Sequence, residues 1–309
     1  MIKYIIKRAL LVIPVLLGVS LIIFTIMSFA SGDPARQALG KDAPEEQVEA
    51  YREKLGLKDP LLVRYVKYVG GILRGDFGES YIDQTAVLDK ILTRLPITFR
   101  LALFATVLTV LLAVPIGIIA ATKQYSLFDT GSMVLALIGA SMPSFWLGLM
   151  LIMLFSAKLG WFASFGAASF KDYVLPAITL SLFVLSILIR YTRSTMLETI
   201  RQDYVTTARA KGASELRAIG IHAMKNAMIP IVTVIGSRFA SFLCGTVVVE
   251  TVFSMPGIGT MLISAINQRD TITVTGTVIF LAFLLTMVNL LIDILYMVID
   301  PRLKSQLKR

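Results

Sequence analysis

The chain has 309 residues, 56% of them hydrophobic and only 16% charged, with a formal charge of +10. Soluble domains sit near half apolar and a quarter charged, and several apolar runs here reach the roughly 20 residues that cross a bilayer, so a soluble globular fold is excluded and an all-α integral membrane protein is predicted. The single cysteine, Cys244, excludes an intrachain disulfide and a cysteine metal cluster, and the single histidine, His222, removes most imidazole metal sites and proton relays.

Six membrane spans are predicted. The first, Ala9–Ala30, follows Lys3, Lys7 and Arg8 and forms residues 1–30 together with that basic tip. The alternative is a cleavable signal ending at Ser28-Phe29-Ala30, but the apolar run is longer than a typical signal core. Pro14 and Gly18 are tolerable where neighbours satisfy the freed backbone. Residues 31–97 form the longest polar segment, predicted as a helical extracytoplasmic insertion between the first two spans. Pro44–Lys54, behind Asp42 as a possible cap, and Leu61–Leu73 read as amphipathic helices. The segment carries three landmarks in order: Gly32-Asp33-Pro34, then Leu55-Gly56-Leu57 with Pro60, then Gly75-Asp76-Phe77-Gly78 with Ser80. It is either an outer cap that meets a delivery protein or a structural plug.

Residues 98–309 supply five more spans: about Leu101–Ala121, Gly131–Ala157, Val174–Ile189, Pro230–Val249 and Thr273–Ile299. The third contains Pro143, which should kink or loosen it, beside Phe145 and Trp146, which either line a passage or pack on a neighbouring span. Arg190 and Arg193 near the end of the fourth read as anchors that snorkel to the interface, and Asp293 in the sixth is a potential partner for such a base. Arg238 and Glu250 in the fifth lie twelve residues apart, about 120° around a helix, so they form no single stripe. Glu250 leads into Phe253-Ser254-Met255-Pro256-Gly257-Ile258-Gly259, and either meets a cationic group of a substrate or holds the loop by hydrogen bonds.

Between the fourth and fifth spans runs Asp203–Pro230, the one long polar interruption in the second half of the chain. Gln202–Lys211 reads as a helix stopped by Gly212, after which Ser214 can cap a second helix with Leu216, Ile219, Ala223 and Met224 at helical spacing. Ala208 and Gly212, four apart, predict a face nearly bare of side chain, with Arg209, Lys211 and Arg217 around it. The stretch is either an ordinary solvated loop or a surface on which another protein docks.

This stretch resembles the cytoplasmic coupling motif of ATP-binding-cassette importer permeases, in particular the dipeptide, oligopeptide and nickel branch. The resemblance rests on Thr207-Ala208-Arg209-Ala210-Lys211-Gly212 followed by His222, Lys225, Asn226, Ala227 and Pro230, on the three earlier landmarks, and on Glu250, Phe253, Pro256, Gly257 and Gly259. The wider importer consensus differs where Thr206 and Thr207 stand and in its shorter distance from glycine to proline, both usual in the peptide branch. Thr271-Ile272 replaces the branch's usual tyrosine-proline after Arg269-Asp270, and Thr275 its usual glutamine, which puts the local turn and any selectivity it carries in question.

The resemblance implies a non-catalytic permease subunit of a prokaryotic inner-membrane importer. Its partners would be a second homologous permease subunit, two cytoplasmic ATP-binding subunits that hold ATP and Mg, and an extracytoplasmic substrate-binding protein. No cofactor or metal is expected on this chain, and no nucleic-acid partner. The coupling helices would span 202–226, with Thr206, Thr207, Ala208, Arg209, Lys211, Gly212, His222 and Asn226 meeting the ATPase; Phe145, Trp146, Arg238, Glu250 and Phe253 are candidates for the translocation pathway. The cargo would be dipeptides or oligopeptides, with glutathione or a nickel chelate as alternatives.

Charge gives an orientation independently. Residues 1–8 carry +3, 122–130 zero, 190–227 +4 and 300–309 +3, which together equal the whole formal charge, while 31–97 carry −1, 158–173 +1 and 253–274 zero. By the positive-inside rule both termini and the polar stretch are cytoplasmic. No G-x-x-x-x-G-K-[ST] phosphate loop occurs, Gly40-Lys41 continuing with Asp42. Two other classes stay open: an ion-coupled secondary transporter, which needs mid-membrane acids or repeat halves with broken helices, and a membrane enzyme, which needs a clustered catalytic set.

Overall fold

The computed structural model describes residues 2–29, 34–40 and 42–299, with only the backbone described for 2–9, 34, 37, 293 and 295–299. Gly32-Asp33 of the first landmark, Ala30 of the cleavage-like tripeptide, the 300–309 tail and the side chains of Lys3, Lys7, Arg8 and Asp293 lie outside the described residues.

The first apolar run winds into α1 (Ile2–Phe29), whose stretch Leu10–Phe29 is long enough to span. The insertion is helical: α2 (Pro34–Leu39), α3 (Glu45–Lys54) and α4 (Leu61–Ile72). Pro44 and Pro60 precede α3 and α4; neither helix has a side-chain cap, so Asp42 does not play the capping part expected of it. Both helices stop the same way. Gly56 (φ +66°) and Gly75 (φ +84°) turn left-handed, letting Leu57 N–H donate to Arg52 O (3.0 Å) and Asp76 N–H to Gly71 O (2.9 Å). That is the chemistry of a glycine helix stop, and it accounts for two of the three landmarks.

Helix α5 (Val87–Thr122) is 36 residues long, about 54 Å at 1.5 Å per residue. It begins 14 residues before the predicted second span, because Val87 and Ile91 are buried even though charged neighbours depress the local hydropathy. The third span is broken rather than kinked. Leu127–Ser141 (α6) and Ser144–Lys158, which is α7 (Ser144–Leu151) followed by a π-helical turn (Ile152–Lys158), meet at 102°. Met142 is extended at ψ 127°, as the residue before a proline tends to be, and Pro143 restarts the chain in a new direction. Helix α8 (Val174–Ile200) continues eleven residues beyond the predicted fourth span. After α9 (Asp203–Ala210), α10 (Glu215–Arg217) runs through a π-helical turn (Ala218–Ala223) into α11 (Met224–Val252), so the fifth span starts well before Pro230. Helices α12 (Ile258–Asn267) and α13 (Thr271–Ile299) complete the described chain. Among the described residues five helices have the length and composition of spans, and the bent pair, counted as one span, makes six.

The chain divides into two compact units, one of residues up to Thr98 with Pro256–Met287, the other of Phe99–Met255 with residues from Val288 on. In the first, Val87, Ile91, Ile258 and Met261 form a buried cluster ringed by Phe77, Leu95, Ile272, Phe280 and Leu281. Gly276 lets Val87 approach its backbone, since an added Cβ would lie 2.9 Å from Val87 Cγ1.

In the second unit α8 is the axis: 61% of its apolar window is buried, against at most 28% in the other spans, so the other elements pack on it. The contacts are made by small residues. A Cβ at Gly117 of α5 would sit 2.6 Å from Thr192 Cβ and 2.9 Å from Ile189 O, and one at Gly139 of α6 would sit 2.8 Å from Ser186 Oγ. Such positions let helix backbones approach closely in lipid, where no hydrophobic force drives them together. The Arg193 guanidinium donates to both oxygens of buried Asp129, Nε to Oδ1 at 2.5 Å and Nη2 to Oδ2 at 2.7 Å. Arg193 is therefore a partner of α6 rather than the snorkelling anchor expected from sequence. Asp129 also accepts from Tyr125 N–H (2.9 Å), and its own N–H donates to the N-cap Ser126 Oγ (3.2 Å).

Replacing Gly117 by Leu should destabilise the fold by about 1–3 kcal/mol through overpacking. Gly131→Leu, where nothing lies within 4 Å of an added Cβ, should be near neutral; thermal unfolding in detergent compares the two. Arg193→Leu should cost more, about 3–5 kcal/mol, by leaving the buried Asp129 carboxylate without its counter-charge. The double variant Asp129→Leu/Arg193→Leu should recover part of that loss in the same assay.

Candidate functional site

The polar stretch between the fourth and fifth spans is built on a glycine stop. Gly212 has φ +84°; its N–H donates to Arg209 O (2.9 Å), and Ala213 N–H reaches back to Ala208 O (3.1 Å), the paired bonds that end a helix in a left-handed residue. Nothing lies within 4 Å of an added Cβ at Gly212, so backbone rotation, not lack of space, calls for glycine there. Ala208 is buried. The open small-residue face expected from the four-residue spacing is therefore not formed: Gly212 lies past the helix end, and Ala208 faces inward.

What faces outward is different. Thr206, Thr207, Lys211, Gly212, His222 and Asn226 are all exposed, and between them stands Leu216, 89% exposed, with Ile221 also in the open. Arg209 is tied across the turn to Glu215, Nε to Oε1 at 2.8 Å and Nη2 to Oε2 at 3.2 Å. A solvated pair adds little stability, but two parallel bonds fix the angle between α9 and α10 and cancel one positive charge on the surface. Thr207 Oγ1 donates to Asp203 O (2.8 Å) and Asn226 Nδ2 to His222 O (3.1 Å), so both side chains lie along their own helices.

The inner side is apolar. Val205 of α9, Ala218 and Ala223 of the π-helical turn, and Ala227 and Ile231 of α11 join Ala113, Ala121, Leu188, Ile189 and Met196 in one buried cluster. The stretch is thus seated on the ends of α5 and α8 by alanine-sized contacts. The wide turn at 218–223 is a local irregularity of the kind found often at functional sites.

The five candidate pathway residues are not brought together. Phe145 and Trp146 are about half exposed and border an open groove of about 600 Å³ at the break in span three. Glu250 and Phe253 are buried, and Phe253 Cε2 lies 3.2 Å from where a Cβ of Gly148 would be. Neither lines an open passage in this conformation. Arg238 sits among Thr106, Thr109, Val184, Leu188, Ile235 and Phe242, with its Nε enclosed and without a hydrogen-bond partner among the described residues.

The first unit holds a polar centre that sequence reasoning missed. The buried carboxylate of Asp270 accepts from Ser80 Oγ (2.5 Å), Thr273 Oγ1 (2.6 Å), Thr273 N–H (3.3 Å) and Tyr81 N–H (3.4 Å), capping α13 and tying it to the third landmark. Ser80 and Asp270 are 190 residues apart, so only chain folding could pair them. Burial pushes the neighbouring Tyr81 hydroxyl up to about 12. Thr271, Ile272 and Thr275, the positions that depart from the peptide-branch pattern, border a cavity of about 480 Å³ together with Tyr68 and Tyr81.

Comparison with known proteins shows the family. The family profile "Binding-protein-dependent transport system inner membrane component" matches residues 113–305, and that for the N-terminal part of such membrane components matches residues 1–102. The oligopeptide transport system permease protein AppB of Bacillus subtilis (strain 168) is 39% identical over 98% of this chain and 100% of its own length. The di/tripeptide transport system permease protein DppB of Pseudomonas aeruginosa (strain UCBPP-PA14) is 40% identical over 99% and 100%. The glutathione transport system permease protein GsiC of Salmonella paratyphi A (strain ATCC 9150 / SARB42) is 38% identical over 98% and 99%. Among solved structures, the inward-facing MetNI methionine ABC transporter superposes with a TM-score of 0.57 at 14% identity, covering 68% of this chain and 96% of that one, a likeness of fold. The chain belongs to the binding-protein-dependent transport system inner membrane component family, as a multi-pass permease chain of the ABC-importer class.

Proposed function

We propose that this chain is one of two permease subunits of an ATP-driven importer that takes up short peptides handed over by an extracytoplasmic binding protein. The relatives are named for oligopeptide, di/tripeptide and glutathione transport, and all of these cargoes are short peptides, glutathione included. ATP and Mg are held by two separate cytoplasmic ATPase subunits. The basic balance of residues 1–8, 190–227 and 300–309 puts both termini and the polar stretch in the cytoplasm, with residues 31–97 outside.

The observation that carries the coupling role is the division of 203–227 into an outward polar surface around exposed Leu216 and an inward row of small apolar side chains seated on α5 and α8. A force on the outer surface reaches the spans through that row, which packs directly on Ala113 and Ala121 of α5 and on Leu188, Ile189 and Met196 of α8. Thr206, Thr207, Arg209, Lys211, Gly212, His222 and Asn226 form or frame that surface, and Ala208 fastens it from behind. Differential contact with the open and closed ATPase pair supplies the energy difference that rocks the spans. Phe145, Trp146 and Arg238 serve the passage, while Glu250 and Phe253 serve the structure behind it, the second of the two roles read for Glu250 from sequence.

A single cysteine at Leu216, in a Cys244→Ser background, should crosslink to an ATPase subunit in the assembled transporter. No crosslink from there or from Lys211→Cys would overturn the docking assignment. Gly212→Val, which forces a β-branched residue into a left-handed conformation at a cost of about 1–2 kcal/mol, should leave insertion and assembly intact while uncoupling ATP hydrolysis from di- and tripeptide uptake in proteoliposomes. Uptake at the wild-type rate would reject the lever.

A further inference from the structure

Helix α4, in the insertion, does not behave as part of a water-soluble cap. At 100° per residue, Leu62, Val66 and Leu73 fall within about 40° of one another around the helix axis, and they are 67%, 67% and 83% exposed, with Val63 open beside them. One flank of that stripe is occupied. Tyr65 packs edge-on against Phe24 of α1 (centroids 5.7 Å apart), and Tyr68 packs on the same ring at 5.6 Å.

The depth of that contact is the informative part. The Tyr65 hydroxyl lies 3.0 Å from the carbonyl oxygen of Leu17 and 2.9 Å from Ser20 Oγ. Within the apolar stretch Leu10–Phe29, Ser20 is about 14 Å from Phe29 and about 15 Å from Leu10 at 1.5 Å per residue. The hydroxyl therefore reaches the middle of the span, whichever way the chain is inserted. A helix held there has hydrocarbon, not water, on its free side, unless another protein covers it.

The two cations of α4 are held differently, Lys67, its side chain 70% exposed, in an ion pair and Arg64 over an aromatic ring. Lys67 Nζ lies 2.7 Å from Asp59 Oδ2, and the Arg64 guanidinium sits over the Phe24 ring at 5.8 Å. Leu10, Ile13, Leu17, Leu21, Ile22 and Ile26 of α1 are also exposed. Beyond Leu73 the chain turns polar at Arg74, Gly75 and Asp76.

We propose that α4 is a membrane-embedded half-helix, packed on span one and facing lipid acyl chains through Leu62, Val66 and Leu73. The insertion is then fastened to the bilayer by its own second amphipathic helix as well as by the flanking spans.

The test is nitroxide labelling of Leu62→Cys and Val66→Cys, each in the Cys244→Ser background, in the assembled transporter in lipid nanodiscs. Leu21→Cys on span one serves as the lipid reference and Glu53→Cys on α3 as the water reference. The expected result is collision with oxygen several-fold above collision with a water-soluble nickel chelate at both α4 positions, as at position 21. A ratio like that at position 53 would place the stripe in water and overturn the proposal. Low collision with both reagents would show that a protein partner covers it, and would overturn the proposal equally.

Discussion

Lipid gives one helix no reason to leave it for another, so the second unit is held by contact distance rather than by a drive to escape solvent. Everything in it depends on how near α8 can be approached. Gly117 and Gly139 remove the side chain where α5 and α6 cross α8, and the Asp129–Arg193 pair fastens α6 to α8 with two charge-assisted bonds. These devices are local, and none of them stands out in a hydropathy profile.

The coupling stretch uses the same economy of size. Val205 and the alanines at 218, 223 and 227 bring this stretch into direct contact with Ala113, Ala121, Leu188, Ile189 and Met196 of α5 and α8. The glycine stop at 212 and the bidentate Arg209–Glu215 pair then fix the angle at which α9 meets α10. Stiffness of this kind is what a transmitting element needs, and it comes from backbone geometry and small contacts rather than from any catalytic group.

The first unit solves a different problem, the anchoring of a polar insertion. Its helices end in repeated left-handed glycines, and the start of α13 is capped by a carboxylate bound to Ser80 of the insertion itself. The Asp270 centre explains why the third landmark ends in serine: the hydroxyl donates to a buried anion that would otherwise have to be desolvated at considerable cost. The positions that depart from the peptide-branch pattern, Thr271, Ile272 and Thr275, border the cavity next to this centre and leave Asp270 fully bonded.

Composition and motif spacing alone were enough to determine the membrane class, the six predicted spans, the insertion with its two amphipathic helices, and the family, because each depends on neighbours in the chain: a run of apolar residues, a period of 3.6, a glycine after a helix. The full break at Pro143, the pairing of Arg193 with Asp129, the inward side of Ala208 and the enclosed position of Glu250, for which sequence left two roles open, were decided by tertiary structure. The reason is the same in each case. Whether a proline bends a helix or breaks it, whether a base reaches water or an acid 64 residues away, and which side of a short helix is already occupied depend on what lies across the packing interface, and one sequence carries no record of that.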